Sequence, residues 1–376
     1  MTPYLEKTLR NAIGPPSDSA TLPPECYHDF AFMELESIKV LRTSWVGVGR
    51  SDQFTASGDY EALSVGGVPV IVLKDKFGKL RAFANTCRHR GTQLVAGRGN
   101  TPRLVCPFHG WTYGLDGDLR GATRMTNTSD FCVDDFSLVE YNADEHAGFV
   151  FVCLNNEPPP LKDWLGNFDK HHLPWPIETL ATARRRDLTV NCNWKLFLEV
   201  FNESYHLDYV HSKTFGGIYQ EPDIPDATAP AVYSQFSPTD GTGGLKQDEQ
   251  DYALPPMPGL SGRNRSGTRY TWLFPSITFA AGTEALWAYN AQPMTPNKCH
   301  VTMWVCFPPE TMALEGFHTK AERYFARMDE ALDEDIAVLE RQQLGMASPH
   351  ARQGRWSDME LGAATFAGWY AKTILR

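Results

Sequence analysis

The sequence lacks the segments that would place a protein in or across a membrane. No apolar stretch follows the N-terminal methionine in the manner of a secretory signal, and no apolar run approaches the ~20 residues that a helix needs to span a bilayer. There is also no internal repeat that would indicate a solenoid. We therefore expect a soluble, cytoplasmic globular protein with no membrane partner.

Positive charge is scarce as well. The chain has 35 Lys and Arg residues against 45 Asp and Glu residues, which gives a formal net charge of −10. Proteins that bind nucleic acid usually carry a basic patch, so this balance argues against a nucleic-acid partner. The short run Arg184–Arg186 is too small to change that conclusion, and we expect it to be solvated.

Cysteines are few, and their spacing does not resemble that of a disulfide-stabilised secreted domain. Cys87 and Cys106 stand in two similar Cys–His motifs. We expect the other six to be reduced and mostly buried: Cys26, Cys132, Cys153, Cys192, Cys299 and Cys306. With 376 residues and 42% hydrophobic content, the chain can bury a large core, and its length suggests two domains.

The two Cys–His motifs predict a metal centre. They read Cys87-Arg-His89 and Cys106-Pro-Phe-His109, so that each short segment supplies one thiolate and one imidazole. Two Cys and two His are the ligand set of a Rieske [2Fe–2S] cluster. A Cys2His2 zinc site uses the same side chains, but it usually groups the two Cys together and the two His together. The interleaved order therefore favours the Rieske cluster.

Short strand-like segments surround these motifs. Ala62–Val65, Val68–Leu73 and Lys79–Phe83 are separated by Gly and Asp turns, which predicts a small β-sandwich that carries the motifs on loops. Gly91 and Gly110 follow the two motifs, and we expect them where the backbone approaches a cluster closely.

The rest of the chain indicates an α+β fold. We expect an N-terminal helical arm at 1–42 that joins the catalytic domain, a Rieske domain at 43–155 and a catalytic domain at 156–376. In the catalytic domain, strand-like stretches alternate with helical segments near 194–212 and 317–344. This alternation predicts an antiparallel sheet packed on helices.

A second metal-binding pattern lies in the first of those helical segments. His206 and His211 are five residues apart, which places them about 140° from each other on a straight helix. If both bind one metal, the helix must end or bulge between them, whereas Glu203 and His206 share a face. Two His and one carboxylate form the facial triad of non-haem Fe(II) oxygenases. Taken alone, two His near a helix end are more often ordinary polar residues with satisfied hydrogen bonds.

Asp335 is the candidate for the carboxylate. Apolar residues in the second helical segment repeat at spacings of three and four, which defines a buried stripe. The stripe consists of Phe325, Met328, Leu332, Ile336 and Leu339. Asp335 falls on it, whereas Asp333 and Glu334 point off that face. A buried carboxylate needs a partner, and iron would provide one. The alternative is a solvated acidic cluster.

These residues together resemble a known family. The runs Asn85–Gly91 and Cys106–Tyr113 resemble the Rieske domain of ring-hydroxylating-type Rieske non-haem iron oxygenases, and the resemblance extends from about Trp45 to the C-terminal helix. It implies the α+β architecture of that family, namely a Rieske β-sandwich followed by a catalytic domain with mononuclear iron.

The resemblance also implies roles for individual residues. The ligands would be Cys87, His89, Cys106 and His109 for the [2Fe–2S] cluster, and His206, His211 and Asp335 for the mononuclear Fe(II). Asp335-x4-Glu340-x2-Gln343 resembles the segment that supplies the third iron ligand. Glu203 matches an acidic residue that bridges an iron-ligating His and a Rieske His of the neighbouring subunit, which implies a homotrimer.

The implied function is that of a terminal oxygenase. No Gly-x-Gly-x-x-Gly dinucleotide loop is present, so electrons must come from a separate NAD(P)H-dependent reductase with flavin and/or iron–sulfur centres. With O2, the enzyme would hydroxylate or oxidatively demethylate a small organic substrate. Glu203 stands where many relatives have Asp, and Val200 replaces a common Asn. Both features depart from the ring-dihydroxylating pattern. Glu203 resembles members that act on carnitine, betaine and related N-methyl compounds, so we expect a quaternary or N-methyl amine.

Two alternatives remain open at this stage. One is aromatic-ring dihydroxylation by the same apparatus. The other is a Rieske electron carrier without catalysis, although the more than 200 residues after Val152 argue against it. The sequence does not say which of the aromatic residues in the catalytic domain face the iron; the candidates are Phe274, Phe279, Trp287 and Tyr289. Segment 221–268, rich in Pro, Gly, Asp and Ser, is expected to be irregular and either disordered or an active-site cover.

Overall fold

The computed structural model of the protein describes residues 1–215, 217–226 and 229–376. The chain forms two compact units, one of Leu41–Leu161 and one that combines Met1–Val40 with Lys162–Arg376. Residues at the N-terminus thus belong to the same unit as the C-terminal half. The boundaries lie two residues before and six residues after the predicted limits of the Rieske domain.

The unit Leu41–Leu161 is built from two antiparallel sheets. Its strands are β1 (Val46–Arg50), β2 (Asp59–Val65), β3 (Val68–Lys74), β4 (Leu80–Ala84), β5 (Arg98–Asn100), β6 (Leu104–Val105), β7 (Thr112–Tyr113), β8 (Leu119–Gly121), β9 (Glu140–His146) and β10 (Phe149–Cys153). The larger sheet has the order β1-β10-β9-β4-β3-β2-β5, and the smaller one the order β6-β7-β8. Short 3₁₀ turns lie at Ser51–Gln53 and Val133–Phe136.

The larger sheet is buried on both faces at strand β3. Successive side chains of a strand point to opposite faces, and β3 is apolar at four consecutive positions. Val70 and Val72 belong to one buried cluster, whereas Ile71 and Leu73 belong to another that also contains Cys87 and Cys106. The predicted β-sandwich is therefore confirmed, with the Cys–His loops on one side of the larger sheet.

The other unit contains one six-stranded antiparallel sheet and helices. Its strands are β11 (Ala181–Val190), β12 (Val232–Pro238), β13 (Gly267–Leu273), β14 (Ile277–Ala281), β15 (Leu286–Thr295) and β16 (Lys298–Phe307), in the order β11-β16-β15-β14-β13-β12. The α-helices of the chain are α1 (Pro3–Asn11), α2 (Glu25–His28), α3 (Phe30–Glu36), α4 (Leu161–Leu165), α5 (Phe168–His172), α6 (Trp194–Val200), α7 (Leu207–Val210), α8 (Pro309–Met312), α9 (Phe317–Met346) and α10 (Leu361–Leu375). A π-helical turn lies at Ser37–Leu41, and 3₁₀ turns lie at Ile177–Thr179, Gln247–Tyr252 and Gly262–Arg265.

Helices α6 and α9 pack on each other, and α6 also packs on β15 and β16, as an α+β fold requires. Both α3 and α6 begin at a side chain that caps the first turn. Asp29 accepts a hydrogen bond from the N–H of Phe32 at 2.8 Å, and Asn193 accepts one from the N–H of Lys195 at 3.0 Å. Among the described helices, none is both long enough and apolar enough to cross a bilayer.

The N-terminal arm is anchored in its unit by Glu36. This carboxylate is only 1% exposed. It accepts hydrogen bonds from the Trp194 indole at 2.8 Å and from the Lys195 ammonium at 2.5 Å, both on α6, and another from the Tyr370 hydroxyl on α10. Because the charge of Glu36 is paired and hydrogen-bonded, its burial is tolerated. Detachment of the arm would leave the buried Lys195 ammonium without its counter-ion.

Helix α9 largely follows the predicted stripe. Phe325, Met328, Leu332 and Leu339 are buried, whereas Ile336 is only half-buried. The side chains of the Arg184–Arg186 run are only partly exposed, so the run is less solvated than expected. The run lies in β11, and both outer arginines pair with Asp329 of α9, Arg184 at 2.6 Å.

Segment 221–268 is more regular than its composition predicted. Residues 232–238 form the edge strand β12, which pairs with β13 along its whole length. Two 3₁₀ turns follow it at Gln247–Tyr252 and Gly262–Arg265. Positions 227 and 228 of the segment lie outside the described residues.

Candidate metal centres

The two Cys–His motifs form loops with the same backbone hydrogen bonds. In each loop the cysteine N–H donates to the carbonyl five residues later, at 2.8 Å for both Cys87 and Cys106. The glycine four residues after each cysteine donates back to the cysteine carbonyl. Gly91 and Gly110 have φ values of +77° and +72°, which residues with a side chain rarely adopt, and this favours glycine at both positions.

The thiols of these loops lie in the protein core. Cys87 and Cys106 are each 2% exposed, and the Tyr113 hydroxyl lies 3.3 Å from the Cys87 sulfur. Burial raises the pKa of the Cys106 thiol, but the N–H groups of Phe108 and His109 help to bring it below its usual value. A lowered thiol pKa favours the thiolate that a metal requires. The other six cysteines are free, and all but Cys132 are buried, as predicted.

The imidazoles lie on the outer side of the same loops. The rings of His89 and His109 are 4.7 Å apart, and His89 stacks on Trp111 at 4.9 Å. Burial, and then the charges of His109 and Arg90, lower the pKa of His89 and keep its ring neutral. His89 Nδ1 is buried and has no hydrogen-bond partner. Since buried ring nitrogens are normally satisfied, this atom fits a metal ligand, and the four side chains fit a Rieske cluster.

The second centre depends on a break in the predicted helix 194–212. Helix α6 ends at Val200, and the short helix α7 spans Leu207–Val210, with His206 directly before it and His211 directly after it. The helical segment is thus broken before His206, and α7 ends between the two His, as predicted. His211 has left the helical conformation, with φ −106° and ψ 22°, and the two rings come within 5.0 Å of each other.

Asp335 of α9 completes this centre. Its Oδ1 atom lies 3.0 Å from His211 Nε2 and 3.7 Å from His206 Nε2. One ligand atom from each of the three residues lies within 4.8 Å of the other two. Asp335 Oδ1 is buried and makes no hydrogen bond. Two imidazole nitrogens and one carboxylate oxygen that converge in this way are the donor set of a facial triad, so the residues fit mononuclear iron.

Two further carboxylates, besides that of Asp335, orient the two imidazoles. Glu203 Oε1 lies 2.5 Å from His206 Nδ1, and Glu334 Oε2 lies 2.7 Å from His211 Nδ1. The Thr214 hydroxyl also donates to Glu334, at 2.7 Å. Burial lowers the pKa of His206, but the hydrogen bond and charge of Glu203, with the charge of Asp335, raise it above its usual value. Because Nδ1 carries the proton in both rings, Nε2 is left for metal.

Sequence reasoning missed Glu334. It was expected to point away from the site, and that expectation was wrong. The only available signal was its position next to Asp335, about 100° around the helix, which places it on the flank that the His206–His211 segment covers. Glu340 and Gln343 do not reach the metal centre. They hold α9 against the chain that enters α6: Glu340 accepts from Asn191 and Gln343 accepts from the Asn193 N–H, both near 2.8 Å.

A group of aromatic residues lies next to His211. We call Phe201, Phe215, Tyr219, Tyr270, Trp287 and Tyr289 the aromatic cluster. Within it, the Phe201 ring lies 4.9 Å from Tyr289 and 5.5 Å from Tyr270, and the Tyr270 hydroxyl donates to that of Tyr219 at 2.8 Å. The Phe215 ring lies 4.3 Å from the His211 ring.

The two other candidate aromatics lie elsewhere. Phe274 packs on Trp369 at 5.2 Å, and Phe279 packs near His172 at 5.5 Å. Each of them therefore belongs to the core. Of the four candidates, only Trp287 and Tyr289 are part of the aromatic cluster.

Comparisons with known proteins agree with these two centres. Residues 44–137 match the Rieske [2Fe-2S] domain family, and residues 177–375 match the family of the ring hydroxylating alpha subunit (catalytic domain). The glycine betaine monooxygenase oxygenase subunit of Chromohalobacter salexigens is 27% identical over 94% of this chain and 86% of its own length. The chloroplastic choline monooxygenase of Arabidopsis thaliana is also 27% identical, over 92% of this chain and 81% of its own.

Solved structures of two enzymes share the fold. A quaternary ammonium Rieske monooxygenase of gut microbiota superimposes with a TM-score of 0.82 and 22% identity, and 98% of each chain is covered. Naphthalene 1,2-dioxygenase from Rhodococcus sp. superimposes with a TM-score of 0.81 and 19% identity, over 100% of this chain and 99% of that one. At these identities, the match indicates the fold. It does not distinguish an enzyme that acts on quaternary ammonium compounds from one that acts on aromatic rings.

Proposed function

Since the chain belongs to the ring-hydroxylating alpha subunit family and is a Rieske non-haem iron oxygenase, we propose that it oxidises a small quaternary or N-methylated amine. The enzyme uses O2 and takes electrons from a partner reductase. It has a Rieske [2Fe–2S] domain and a catalytic domain for mononuclear iron. The match over residues 177–375 removes the alternative of an electron carrier without catalysis.

The proposed ligands are the residues that converge in the two centres. Cys87, His89, Cys106 and His109 would hold the cluster, and His206, His211 and Asp335 would hold the iron. Bound there, the cluster supplies single electrons and the iron supplies open positions at which O2 is activated. Glu203 and Glu334 keep the Nδ1 proton of each iron-ligating imidazole in place, which fixes the orientation of both rings.

One observation supports the amine substrate most directly. Relatives that align with more than nine-tenths of the chain are named for glycine betaine and choline, and the iron site of this chain adjoins ring faces. Phe215 contacts His211, and Phe201 contacts both Tyr270 and Tyr289 in the same aromatic cluster. Aromatic faces attract quaternary ammonium ions, by roughly 0.5–2 kcal/mol for each ring. The same rings exclude water from the reacting methyl group.

Glu203 has a second proposed role between subunits. Its Oε1 atom contacts the iron-ligating His206, so the same carboxylate could connect this imidazole to a Rieske imidazole of a neighbouring subunit. We propose a homotrimer on this basis, and the quaternary ammonium monooxygenase with the same fold is described in terms of inter-subunit electron transfer. The proposed reductase uses NAD(P)H with flavin and/or iron–sulfur centres, and the proposed location is the cytoplasm.

Oxygen uptake with defined substrates tests the proposal. Purified protein with about three iron atoms per chain and a competent reductase should consume O2 with glycine betaine or choline. Formaldehyde release would identify demethylation, and an oxidised amine without formaldehyde would identify hydroxylation. The His206→Ala variant serves as the control for uncoupled uptake. Turnover of an aromatic acid to a cis-diol, with no response to any amine, would instead favour aromatic-ring dihydroxylation.

A further inference from the structure

Arg327 of α9 is buried beside the iron site without a counter-ion. Its side chain is 2% exposed, and among the described residues it forms no ion pair. Within the described part of the chain, its guanidinium donates one hydrogen bond, to the Tyr219 hydroxyl at 3.4 Å, and its buried Nε atom has no acceptor. Other arginines that meet α9 are paired: Arg184 contacts Asp329 and Arg323 contacts Glu249, both at 2.6 Å.

Such a guanidinium is costly unless something binds to it. Arginine stays protonated in proteins and carries five N–H donors in a planar fork. The ring faces of Phe215 and Trp287 lie 4.0 Å and 5.7 Å from its central carbon, and they stabilise the charge in part. Ring faces do not satisfy the N–H donors. A carboxylate satisfies the N–H donors and stabilises the charge, because it accepts two parallel hydrogen bonds from the planar guanidinium and carries the opposite charge.

Arg327 lies close to the candidate iron site. The Phe215 ring contacts the iron-ligating His211 at 4.3 Å and the Arg327 guanidinium at 4.0 Å, so a single ring separates the two. On the other side, burial raises the pKa of the Tyr289 phenol, the charge of Asp335 raises it further and the charge of Arg327 lowers it. Tyr289 therefore lies within electrostatic reach of both the iron ligand and the arginine.

We propose that Arg327 binds a carboxylate of the substrate, and that the preferred substrate is a small zwitterion with an ammonium and a carboxylate group a few bonds apart. The ammonium group lies against the aromatic cluster, which places its methyl groups at the iron. The carboxylate is held by the Arg327 fork. An amino alcohol of the choline type brings a second positive charge to Arg327 and no anion to pair with it. The ammonium part of this inference rests on the proposed function, whereas the anion site does not.

Binding measurements on the intact holoprotein test the anion site without turnover. Glycine betaine and choline form a matched pair, since they differ in a carboxylate against a hydroxymethyl group. Calorimetry should find glycine betaine bound at least tenfold more tightly by the wild type. Arg327→Gln should weaken glycine betaine by roughly 10- to 100-fold, since it removes a charge-assisted pair, and leave choline unchanged or bound more tightly. Arg327→Lys should recover part of the affinity, because it restores the charge and not the fork.

Arg323→Gln is the matched control. It removes an arginine one turn earlier on the same helix, whose partner is Glu249, and it should leave both affinities unchanged. Should Arg327→Gln fail to fold, acetate competition on the wild type decides the question. Acetate should displace glycine betaine if the carboxylate has its own site.

Three outcomes separate this inference from the proposed function. Equal affinity for choline and glycine betaine, with no displacement by acetate, would overturn the anion site and leave the amine function standing. An equal loss of both ligands in Arg327→Gln would mean that the arginine is structural, which also overturns it. Binding of benzoate but of neither amine, with loss in Arg327→Gln, would retain the anion site and reject the amine function.

Discussion

Each imidazole of the iron site has one ring nitrogen on a carboxylate and the other on the metal side. Glu203 holds His206 and Glu334 holds His211. The two histidines were predictable because their spacing and the upstream motifs point to the same chemistry. Glu334 was not predictable, because apolar periodicity shows only which residues of one helix share a face. It does not show which other elements pack against that helix. Here another element, the loop that carries His211, covers the flank on which Glu334 lies.

We expect Glu334→Ala to weaken iron binding by roughly 10- to 100-fold, since loss of the carboxylate frees the His211 ring and lowers its basicity. The measurement is iron content after dialysis against a graded series of chelator concentrations. Asp333→Ala is the matched control, because Asp333 is exposed on the same turn. Equal iron retention in the two variants would show that Glu334 does not support the ligand.

Glu203 and Asp335 should respond differently to substitution. Glu203→Gln keeps an oxygen that accepts from His206 and removes the charge, so both metals should remain while turnover is suppressed. Asp335→Ala removes a proposed ligand, so the mononuclear iron should be lost and the Rieske EPR signal of the reduced protein retained. Metal analysis, EPR and coupled oxygen uptake distinguish the two. Full coupled activity in Glu203→Gln would contradict the proposed bridging role.

Strand periodicity accounts for the aromatic residues that sequence alone left unassigned. Trp287 and Tyr289 are two apart on β15, so they share one face of the sheet. Their cross-strand partners on β14 are Ala280 and Thr278, whereas Phe279 lies between these and points to the other face. The alternation is visible in the sequence. Which face meets the helices is not, because that depends on how the sheet packs in three dimensions.

Among the secondary-structure elements, the long helices and the helix end between His206 and His211 were predictable, whereas the earlier break after Val200 was not. A 3.6-residue pattern continues through 194–212, yet α6 ends at Val200. Beyond the end of α6, Glu203 Oε2 accepts hydrogen bonds from the N–H groups of Tyr205 and His206, at 2.5 Å and 3.3 Å. Such local side-chain bonds compete with helix continuation. The break gives His206 and His211 their common orientation toward Asp335.

Gln343 should matter for stability, although it lies outside the metal centre. It accepts from the Asn193 N–H at 2.7 Å and donates to the Tyr27 carbonyl at 3.0 Å, in a buried site. Gln343→Ala leaves a buried donor and a buried acceptor without partners, which should lower the free energy of unfolding by about 1–3 kcal/mol. Denaturant titration measures the change. Gln342→Ala, at an exposed neighbouring position, should be close to neutral, and a similar loss in both variants would contradict the role.

For the whole molecule, the α+β class and the order of the two metal centres were predictable from the motifs. An N-terminal arm that joins the catalytic domain was also a prediction from the sequence, but its individual contacts were not, since they join residues more than 150 positions apart, as between Glu36 and Lys195. All proposed cluster ligands lie in the unit Leu41–Leu161, and all proposed iron ligands lie in the other unit.

Mixed assemblies test whether electrons pass between chains. Cys106→Ser chains should lack the cluster and Asp335→Ala chains should lack the iron, so each alone should be inactive. Co-expressed with different tags and purified through both, the mixture should recover part of the wild-type oxygen uptake, because an intact cluster then faces an intact iron site in a neighbouring chain. No recovery in a verified mixed assembly would contradict the trimer, as would an active monomer in solution scattering.

The division of the chain into units also sets an order of assembly during synthesis. The unit Leu41–Leu161 is continuous, so it can fold, and its cysteines can receive iron and sulfide, while the ribosome is still translating. The arm that precedes it must wait for Lys195 and Tyr370, its partners around Glu36. Asp335 follows the end of the first unit by 174 residues, or roughly 10–35 s at bacterial translation rates of about 5–20 residues per second. The proposed cluster ligands are therefore complete in the growing chain before the proposed iron ligands are, so that cluster insertion and iron loading can be separate events.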